Sequence, residues 1–491
     1  MTAFPILSSI IILPLFGAII ASLVKGNEKE VTKNVRDLAL WVSLVELLLV
    51  ILLLYQFNSS SEAFQFIEKK VIFSKFGISY FLGVDAISIT FILLTAILFP
   101  ICIFYSKLSI KLRTKEFMIS FLVLESLVIG VFSCLDIILF YIFFEALLIP
   151  MFLIIGIWGG KRRIFASYKF FLYTLAGSVF FLLAIIVMAS IANTTSMIEL
   201  DNYYFKTGLQ KVLWLGMFIS FAIKVPMWPF HTWLPDAHVE APTVGSIILA
   251  GILLKVGGYA FLRLSLPILP DASFYFSNFV IILSIIAIIY TSFVALAQKD
   301  MKKMIAYSSV AHMGYVTAAI FSFTEEGIKG AIFQMVSHGI VSSALFLSIG
   351  ILYEQTKSRD INYYSLLVKS MPLYSLFFII IVLSSIGLPG TSGFIGELMS
   401  VLGVYKYNAI YGFLIAFGLI LGAIYMLKLV KIIIFTVDSN KVSDLQDLVL
   451  TENILLLIFV TSTILLGLFP NFLLQFIDVS VIKILTNYKG F

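Results

Sequence analysis

The chain has 491 residues, of which 61% are hydrophobic and only 12% charged, with a formal net charge of +6. Soluble domains contain about 45–50% apolar and about 25% charged residues. This composition excludes a soluble enzyme, a disordered protein and a nucleic-acid-binding protein. The two cysteines, Cys102 and Cys134, lack metal-ligand spacing, which excludes a disulfide scaffold and a cysteine-ligated iron–sulfur cluster.

Apolar runs long enough to cross a membrane follow one another along the whole chain. Because a span needs about 20 apolar residues, the sequence predicts an all-α polytopic membrane protein with about fourteen spans. We expect the first span to be kept in the mature chain, because it has neither the basic start nor the cleavage site of a signal peptide. The predicted spans are 4–24, 37–56, 85–106, 116–134, 135–158, 165–192, 208–230, 242–264, 273–297, 303–323, 328–353, 373–405, 409–435 and 450–475.

The basic residues are distributed unevenly between the two sets of loops. Of the 33 lysines and arginines, 21 lie at loops that follow odd-numbered spans, and ten lie at the other loops and the termini. The remaining two, Lys224 and Lys255, lie inside spans. Basic loops stay on the negative side of a membrane, so both termini are predicted on the positive side, the periplasm or intermembrane space.

Two spans are interrupted by proline and glycine. The seventh contains Pro226, Pro229 and Pro235, and the twelfth contains Gly387-Leu388-Pro389-Gly390. Such a pair of breaks in corresponding positions indicates inverted repeats around a transport site, although two unrelated proline kinks are the alternative. We therefore predict two inverted five-helix repeats, spans 4–8 and 9–13. The predicted divisions are 1–115, 116–270 (first repeat), 271–440 (second repeat) and 441–491.

Acidic and basic side chains lie within the apolar spans. Charges inside a membrane are costly and commonly mark ion or proton paths. A glutamate and a lysine that approach and separate would change each other's proton affinity, which makes such a pair a simple pump element. A structural ion pair is the alternative for any single residue, and Glu46 in span 2 is evenly balanced between the two. The set consists of Glu125, Glu145, Lys224, Lys255 and Glu397.

Two later spans carry polar side chains at helical spacing. Histidine titrates near neutral pH and can pass a proton, so these two stripes predict a proton wire. The four histidines, among them His231 in the broken span, are too few and poorly spaced for several haems, and a quinone site is unsupported. The stripes are Ser308, His312 and Tyr315 at i, i+4 and i+7, and Gln334, His338 and Ser342 at i, i+4 and i+8.

The segments around these residues resemble a known family. They are similar to subunit 4, or chain M, of proton-pumping NADH–quinone oxidoreductase (respiratory complex I), one of its antiporter-like membrane subunits. The resemblance covers nearly the whole chain. The first segment below is specific for subunit 4, and the second and third are shared with other antiporter-like subunits. The similar segments are Phe143 to Gly159, Lys224 to Lys255, Lys302 to Met313, and Leu388 to Glu397.

The resemblance implies fourteen spans with an inverted repeat and two broken helices. It implies that Glu145 pairs with Lys224 and that Lys255 is a central connecting lysine. It also implies that Glu397 ends the second half-channel, with His312 and His338 on the hydrophilic axis between. The candidate proton-transfer residues are therefore Glu145, Lys224, Lys255, Glu397, His312 and His338, supported by Glu125, His231, Ser308, Tyr315 and Gln334.

The family's redox chemistry takes place in other subunits. NADH, flavin, iron–sulfur clusters and quinone are expected in partner subunits, so this chain is predicted to hold no cofactor and no metal. The expected partners are the other membrane-arm subunits, especially the neighbouring antiporter-like ones, together with lipids. The expected location is the mitochondrial inner membrane or the bacterial plasma membrane. The alternatives are an Mrp-type sodium/proton antiporter subunit, a membrane subunit of a proton-pumping hydrogenase, and a structural spacer.

Overall fold

The computed structural model describes residues 4–73, 77–437, 445–486 and 488. Helices dominate these residues, and we number them so that helices 1 to 14 match the predicted spans. The first seven are α1 (Ile6–Leu23), α2 (Glu28–Gln56), α3 (Ala86–Ser109), α4 (Thr114–Ser133), α5 (Ile137–Trp158), α6 (Arg163–Ala192) and the broken α7, with halves α7a (Thr207–Lys224) and α7b (Trp233–Glu240).

The second half continues in the same manner and ends with a helix that no predicted span covers separately. Its members are α8 (Thr243–Ile268), α9 (Ser277–Leu296), α10 (Met301–Ile320), α11 (Glu325–Thr356), α12a (Pro372–Ser385), α12b (Ser392–Tyr407), α13 (Ala409–Phe435), α14 (Leu450–Leu468) and α15 (Asn471–Thr486). Short helices lie at Met197–Asp201 and Pro270–Tyr275 in the connections.

Within the described residues, eleven helices are long and apolar enough to cross a membrane. Helices α7, α10 and α12 occupy the three remaining predicted positions. Two of these are broken and α10 carries many polar side chains, which is why they lack the uniform hydrophobicity of an ordinary span. The membrane-helical fold is confirmed, whereas the count of fourteen spans, the inverted repeat and the domain divisions stay predictions. The predicted division at 440/441 lies outside the described residues.

Part of the polar stretch between α2 and α3 forms a β-hairpin. Strand β1 (Gln65–Phe73) pairs antiparallel with β2 (Ile78–Val84), and Lys70 lies opposite Tyr80. The hairpin is an addition to the predicted all-α membrane fold. The sequence Gln65–Phe73 has no period-two alternation of polar and apolar residues that would indicate a strand, and the stretch is short and lies outside the long apolar runs.

The last predicted span, 450–475, extends too far. Helix α14 ends at Leu468, and α15 begins at Asn471 after Pro470. Proline has no backbone N–H and clashes with the preceding turn, so it ends the helix. Helix α15 contacts the connection between α2 and α3, where Lys483 Nζ donates to the Glu62 carbonyl at 3.1 Å.

The loops that follow odd-numbered helices lie together at one end of the bundle, and those that follow even-numbered helices lie at the other. The positive-inside distribution therefore separates two real faces of the structure. At the odd-loop end the contacts include Lys115 Nζ to Val24 O, Trp158 Nε1 to Leu112 O, Gly160 N to Glu240 O, Met301 N to Arg359 O and Lys428 Nζ to Leu296 O. At the even-loop end they include Leu7 N to Glu68 Oε1, Ile137 N to Thr195 O, Lys406 to Glu326 and Tyr488 OH to Leu266 O.

Helices α8 and α11 form the centre of the bundle. In each, 94% of the most apolar window is buried inside the chain, compared with 28% for α2 and 33% for α6. A span exposed to lipid needs an apolar outer face, whereas a span surrounded by protein can carry polar groups that neighbouring helices satisfy. The two central helices are accordingly the ones that carry Lys255, Gln334 and His338.

Candidate functional site

Lysine 255 lies where α8 departs from regular α-helical geometry. Two π-helical turns, Leu249–Leu253 and Phe261–Ser265, flank it. Its Nζ donates to the Ala250 carbonyl, five residues earlier, and lies 2.7 Å from His338 Nδ1 on α11. Wider turns of this kind occur frequently at functional sites. Here the turn gives the fully buried ammonium one fixed acceptor and one titratable neighbour.

A second pair continues from this lysine toward α12b. The ring centroids of His338 and His312 are 5.5 Å apart. His312 Nδ1 lies 2.8 Å from Glu397 Oε1, and Gln334 Nε2 lies 3.4 Å from His312 and 3.5 Å from Glu397. Lys255, His338, His312 and Glu397 therefore form a contiguous sequence of buried titratable side chains, which we call the polar row.

Close packing of α11 against α12b holds Glu397 in this row. A Cβ at Gly396 would lie 2.4 Å from Gln334 Oε1, and one at Gly403 would lie 2.3 Å from the Gly327 Cα. Small residues let two membrane helices approach until their backbones touch. Because Gly396 lies directly before Glu397, the same contact fixes the height of the carboxylate beside Gln334.

A small cavity of about 20 Å³ borders the polar row. Its polar wall includes His312, His338, Gln334 and Glu397, with several serines. A site of roughly 10–15 Å³ is enough for one water molecule when polar partners are present. Since the two imidazoles do not hydrogen-bond each other directly, a water here would complete the row between them.

The broken ends of α12 are tied by hydroxyl groups. Ser392 Oγ lies 2.8 Å from Ser337 Oγ and 2.7 Å from Thr463 Oγ1, and Thr463 lies 2.6 Å from Ser384 Oγ. Serine and threonine commonly satisfy groups that are freed when a membrane helix is interrupted. The network joins α11, both halves of α12 and α14, and so stabilises the helices that carry the polar row.

Glu145 and Lys224 occupy the other break. Lys224 is the last residue of α7a, and its Nζ lies 4.5 Å from the centroid of the Phe144 ring. Glu145 is half-buried and interacts electrostatically with Lys224, but no ion pair joins the two among the described residues. The Oε1 atom of Glu145 has no hydrogen-bond partner. The predicted pair is thus adjacent but separated.

The comparisons with known proteins assign the chain to a family. A family model described as "NADH:quinone oxidoreductase/Mrp antiporter, TM" matches residues 134–424. The chain is also 50% identical to NADH-quinone oxidoreductase subunit M of Rickettsia prowazekii, over 99% of this chain and the whole of that protein. The chain belongs to the NADH:quinone oxidoreductase/Mrp antiporter family. It is an integral membrane protein.

Solved structures of this family share the fold. A chain of respiratory complex I from Thermus thermophilus with bound NADH is 28% identical, with a TM-score of 0.88 over 98% of this chain and 99% of that one. A chain of the Mrp complex from Dietzia sp. DQ12-45-1b also has a TM-score of 0.88, over 99% of both chains, but is only 18% identical. The second likeness shows the fold alone.

Sequence reasoning did not choose two buried residues, His238 and Lys302, as proton-transfer candidates, although His238 interacts electrostatically with both Lys302 and Lys255. His238 is fully buried, is stacked on Phe346 at 4.5 Å between centroids, and has no partner for either ring nitrogen. Lys302 Nζ donates to the Ala241 carbonyl at 2.8 Å and lies 3.3 Å from Ser246 Oγ. Their signals were a histidine within the segment Lys224 to Lys255 and a lysine at the start of a polar helix.

Three of the supporting residues lie outside the row. Ser308 hydrogen-bonds Tyr425 at 2.8 Å while lining the cavity. Tyr315 donates to the Ile415 carbonyl at 3.0 Å. His231 lies between the rings of Tyr290 and Tyr307 in the loop after α7a, with an unpartnered Nδ1. A shared helix face therefore did not bring all three stripe residues of α10 into one chain of contacts.

Glu125 is also away from the row. It lies on α4 and contacts Glu46 of α2. No group of three histidine, cysteine, aspartate or glutamate residues that could hold a metal occurs in the part of the chain that the structure describes. The expectation that this family member holds no cofactor and no metal stays a prediction.

Proposed function

We propose that the chain is a proton-translocating membrane-arm subunit of an NADH:quinone oxidoreductase. The observation that supports this most directly is the polar row, in which Lys255, His338, His312 and Glu397 follow one another through the buried centre of the bundle. Each of these side chains can bind and release a proton, and intramembrane residues of this kind form proton relays.

The chain would take part in the enzyme without a redox site of its own. The name of the Rickettsia relative, NADH-quinone oxidoreductase subunit M, supports membership of a multi-subunit membrane arm. NADH, flavin, iron–sulfur clusters and quinone would be bound by partner subunits. The surrounding membrane would be a bacterial plasma membrane or a mitochondrial inner membrane, with the odd-loop end on its negative side.

The positions of the row residues support a direction of transfer. Lys302 and His238 lie toward the odd-loop end and interact electrostatically with each other, and His238 also interacts with Lys255. Glu397 lies on α12b, which ends at Tyr407 near the even-loop end. At a rise of 1.5 Å per residue, Glu397 is about 15 Å from that end. Protons would enter near Lys302 and leave past Glu397.

The separated Glu145 and Lys224 would act as the switch. When the two charges approach, each stabilises the charged form of the other, and when they part, burial favours both neutral forms. A conformational signal from a neighbouring subunit could therefore change the proton affinity of Lys224. Lys224 borders the α8 residues Leu249 and Leu253, on the helix that carries Lys255, so this change of charge would occur beside that helix.

Replacement of Glu145 by glutamine tests this function. We expect Glu145→Gln to leave the assembly of the complex intact, as seen on blue-native gels, because the amide keeps the shape of the side chain. NADH-driven proton pumping should fall at least about tenfold, since a lost proton-transfer group commonly costs more than that. Glu116→Gln is the matched control, because Glu116 forms only an exposed pair with Arg113.

The outcomes also separate the alternatives. Normal pumping in Glu145→Gln would contradict the proposed role of this residue and reopen the structural-spacer interpretation. Sodium-dependent transport without a respiratory partner would favour an Mrp-type antiporter, and co-purification with a nickel enzyme would favour a hydrogenase subunit.

A further inference from the structure

Two carboxyl groups are buried side by side at the interface of α2 and α4. Glu46 and Glu125 are each 0% exposed. Ser43, one turn before Glu46 on α2, hydrogen-bonds the Glu125 carboxyl group, so both carboxyl groups face the same interface, where they interact with each other. The hydrogen bonds and ion pairs described for them do not include any member of the polar row. They form a separate site, which we call the carboxyl pair.

The hydrogen-bond donors around the carboxyl pair are too few for two ionised groups. Ser43 Oγ donates to Glu125 Oε2 at 2.7 Å. Glu125 Oε1 and both carboxyl oxygens of Glu46 have no donor. Ser126 is next along α4, but its hydroxyl donates to the Ile11 carbonyl at 2.6 Å.

No cation faces the pair either. The titratable group described near it on α3 is the buried thiol of Cys102, and α1 contributes the Ile11 carbonyl. None of the electrostatic interactions described for Glu46 and Glu125 involves a lysine, arginine or histidine. The carboxyl pair therefore lacks the counter-charge that buried carboxylates normally need.

One added proton supplies a missing hydrogen-bond donor and also reduces the uncompensated negative charge. Two carboxylates in contact cannot both be ionised in a dry site, and such pairs hold a shared proton. A proton on one oxygen of Glu46 supplies the missing donor to Glu125 Oε1, while Ser43 stabilises Glu125 Oε2. In this state the pair has a charge of −1, and uptake of one further proton makes it neutral.

We propose that Glu46 and Glu125 form a second proton-binding site, outside the polar row, that takes up and releases one proton in each pumping cycle. This inference rests on the proposed function of the chain. A purely structural role explains the pair poorly, because buried charged groups can often be replaced by apolar ones without loss of stability. Helix α2 packs inward on one side only, and its outer face exposes Trp41 and Tyr55.

The double variant Glu46→Gln/Glu125→Gln tests the site in the assembled complex. Glutamine keeps the volume, and its amide supplies the missing donors, so a structural role predicts normal assembly and normal pumping. A proton-binding role predicts normal assembly, unchanged NADH oxidation with an artificial electron acceptor, and a fall of at least about tenfold in the pumping rate. Infrared spectra should also lose a carbonyl band from a protonated carboxylic acid.

A matched control is available at the start of α14. Glu452 is 8% exposed and accepts a hydrogen bond from the Val449 amide at 3.2 Å, and Glu452→Gln preserves that acceptor. This variant should pump normally. If the double variant does not assemble, the single Glu46→Gln variant keeps a donor for Glu125, and the infrared band and the pumping rate are measured on it.

The result separates this inference from the proposed function when Glu145→Gln is measured in the same membranes. Loss of pumping in Glu145→Gln together with normal pumping in the double variant overturns the second site alone. An unchanged infrared band overturns the shared proton. Normal pumping in both overturns the proposed function of the chain and this inference with it.

Discussion

The two helix breaks hold similar acid and base groups in opposite arrangements. At the second break, Glu397 is 2.8 Å from His312, and the adjacent cavity of about 20 Å³ is lined by histidine, glutamine, glutamate and serine. At the first break, Lys224 faces a cavity of about 10 Å³ whose other lining side chains are apolar. Its Nζ lies 4.5 Å from the centroid of the Phe144 ring, and no ion pair with Glu145 is described.

This difference teaches that similar residues at the two helix breaks are connected in one place and isolated in the other. The second break has room for one water and a connected set of proton-binding groups, so charge can spread along it. The first is too small and too apolar to hold a water of its own, so the Lys224 charge is confined. A pump needs one connected and one interrupted segment at any time, because a continuous path across the membrane would leak protons.

The largest effect is expected at the second break, from removing the carboxylate that ends the polar row. Glu397→Gln keeps the shape beside His312 but removes the group that accepts a proton at the end of the row. Pumping measured with a pH-sensitive dye should fall by at least about tenfold, as for other lost proton-transfer groups. Combined with Glu145→Gln, the loss should be much less than additive, because the two groups act in one series.

A glutamate at the same end of the molecule provides the control for this variant. Glu326 pairs with Lys406 at a solvent-accessible position, where ion pairs contribute about 0–1 kcal/mol. Glu326→Gln should pump normally. A Glu397→Gln complex that pumps as well as Glu326→Gln would show that the polar row does not end at Glu397.

A smaller effect is expected from forcing apart α11 and α12b, the helices that pack together at the second break. Gly403→Ala places a Cβ 2.3 Å from the Gly327 Cα, and overpacking of this type costs about 1–3 kcal/mol. Thermal inactivation of NADH-driven pumping should occur at a lower temperature, with some loss of assembled complex. Gly208→Ala, where a Cβ meets nothing within 4 Å, should have neither effect, and equal behaviour of both variants would contradict the close contact.

The smallest effect is expected at the first break, where Lys224 and Glu145 are apart. Phe144→Leu removes the ring under the Lys224 ammonium, an interaction of about 0.5–2 kcal/mol. With that partner gone, Lys224 should associate more with Glu145, and pumping should change by a few-fold. Phe152→Leu is the control, since Phe152 stacks on Tyr168 and Phe171 of α6. Identical pumping in the two variants would show that Phe144 does not hold Lys224 apart from Glu145.

Prediction from sequence succeeded for long, strongly apolar elements and was poorer for short ones. The helix positions followed from hydrophobic length, and the faces of the bundle followed from the distribution of lysine and arginine. The β-hairpin was missed because Gln65–Phe73 and Ile78–Val84 are stabilised by pairing with each other and by packing against α1 and α5. The end of α14 was misplaced because the hydrophobic pattern continues across Pro470 into α15.

Prediction of the candidate site was likewise successful for some residues and not for others. Sequence picked out Lys255, His312, His338 and Glu397 because charged and titratable groups are rare and costly inside a membrane. It could not distinguish Tyr315, which turns to a carbonyl of α13, from His312, which faces Glu397. Both lie on one helix face, and only the neighbouring helix decides which partner each one meets.

By itself the sequence determined that this chain spans a membrane repeatedly, which loops share a side, and which buried groups can exchange protons. These properties depend on composition and local spacing, which can be determined without knowing how the helices pack. Only the tertiary structure decided that the second break is connected, that Glu145 and Lys224 are apart, and that Glu46 meets Glu125. Such contacts join residues 79 to 85 positions apart, and a shift of about an ångström between helices makes or breaks them, since hydrogen bonds are lost beyond about 3.5 Å.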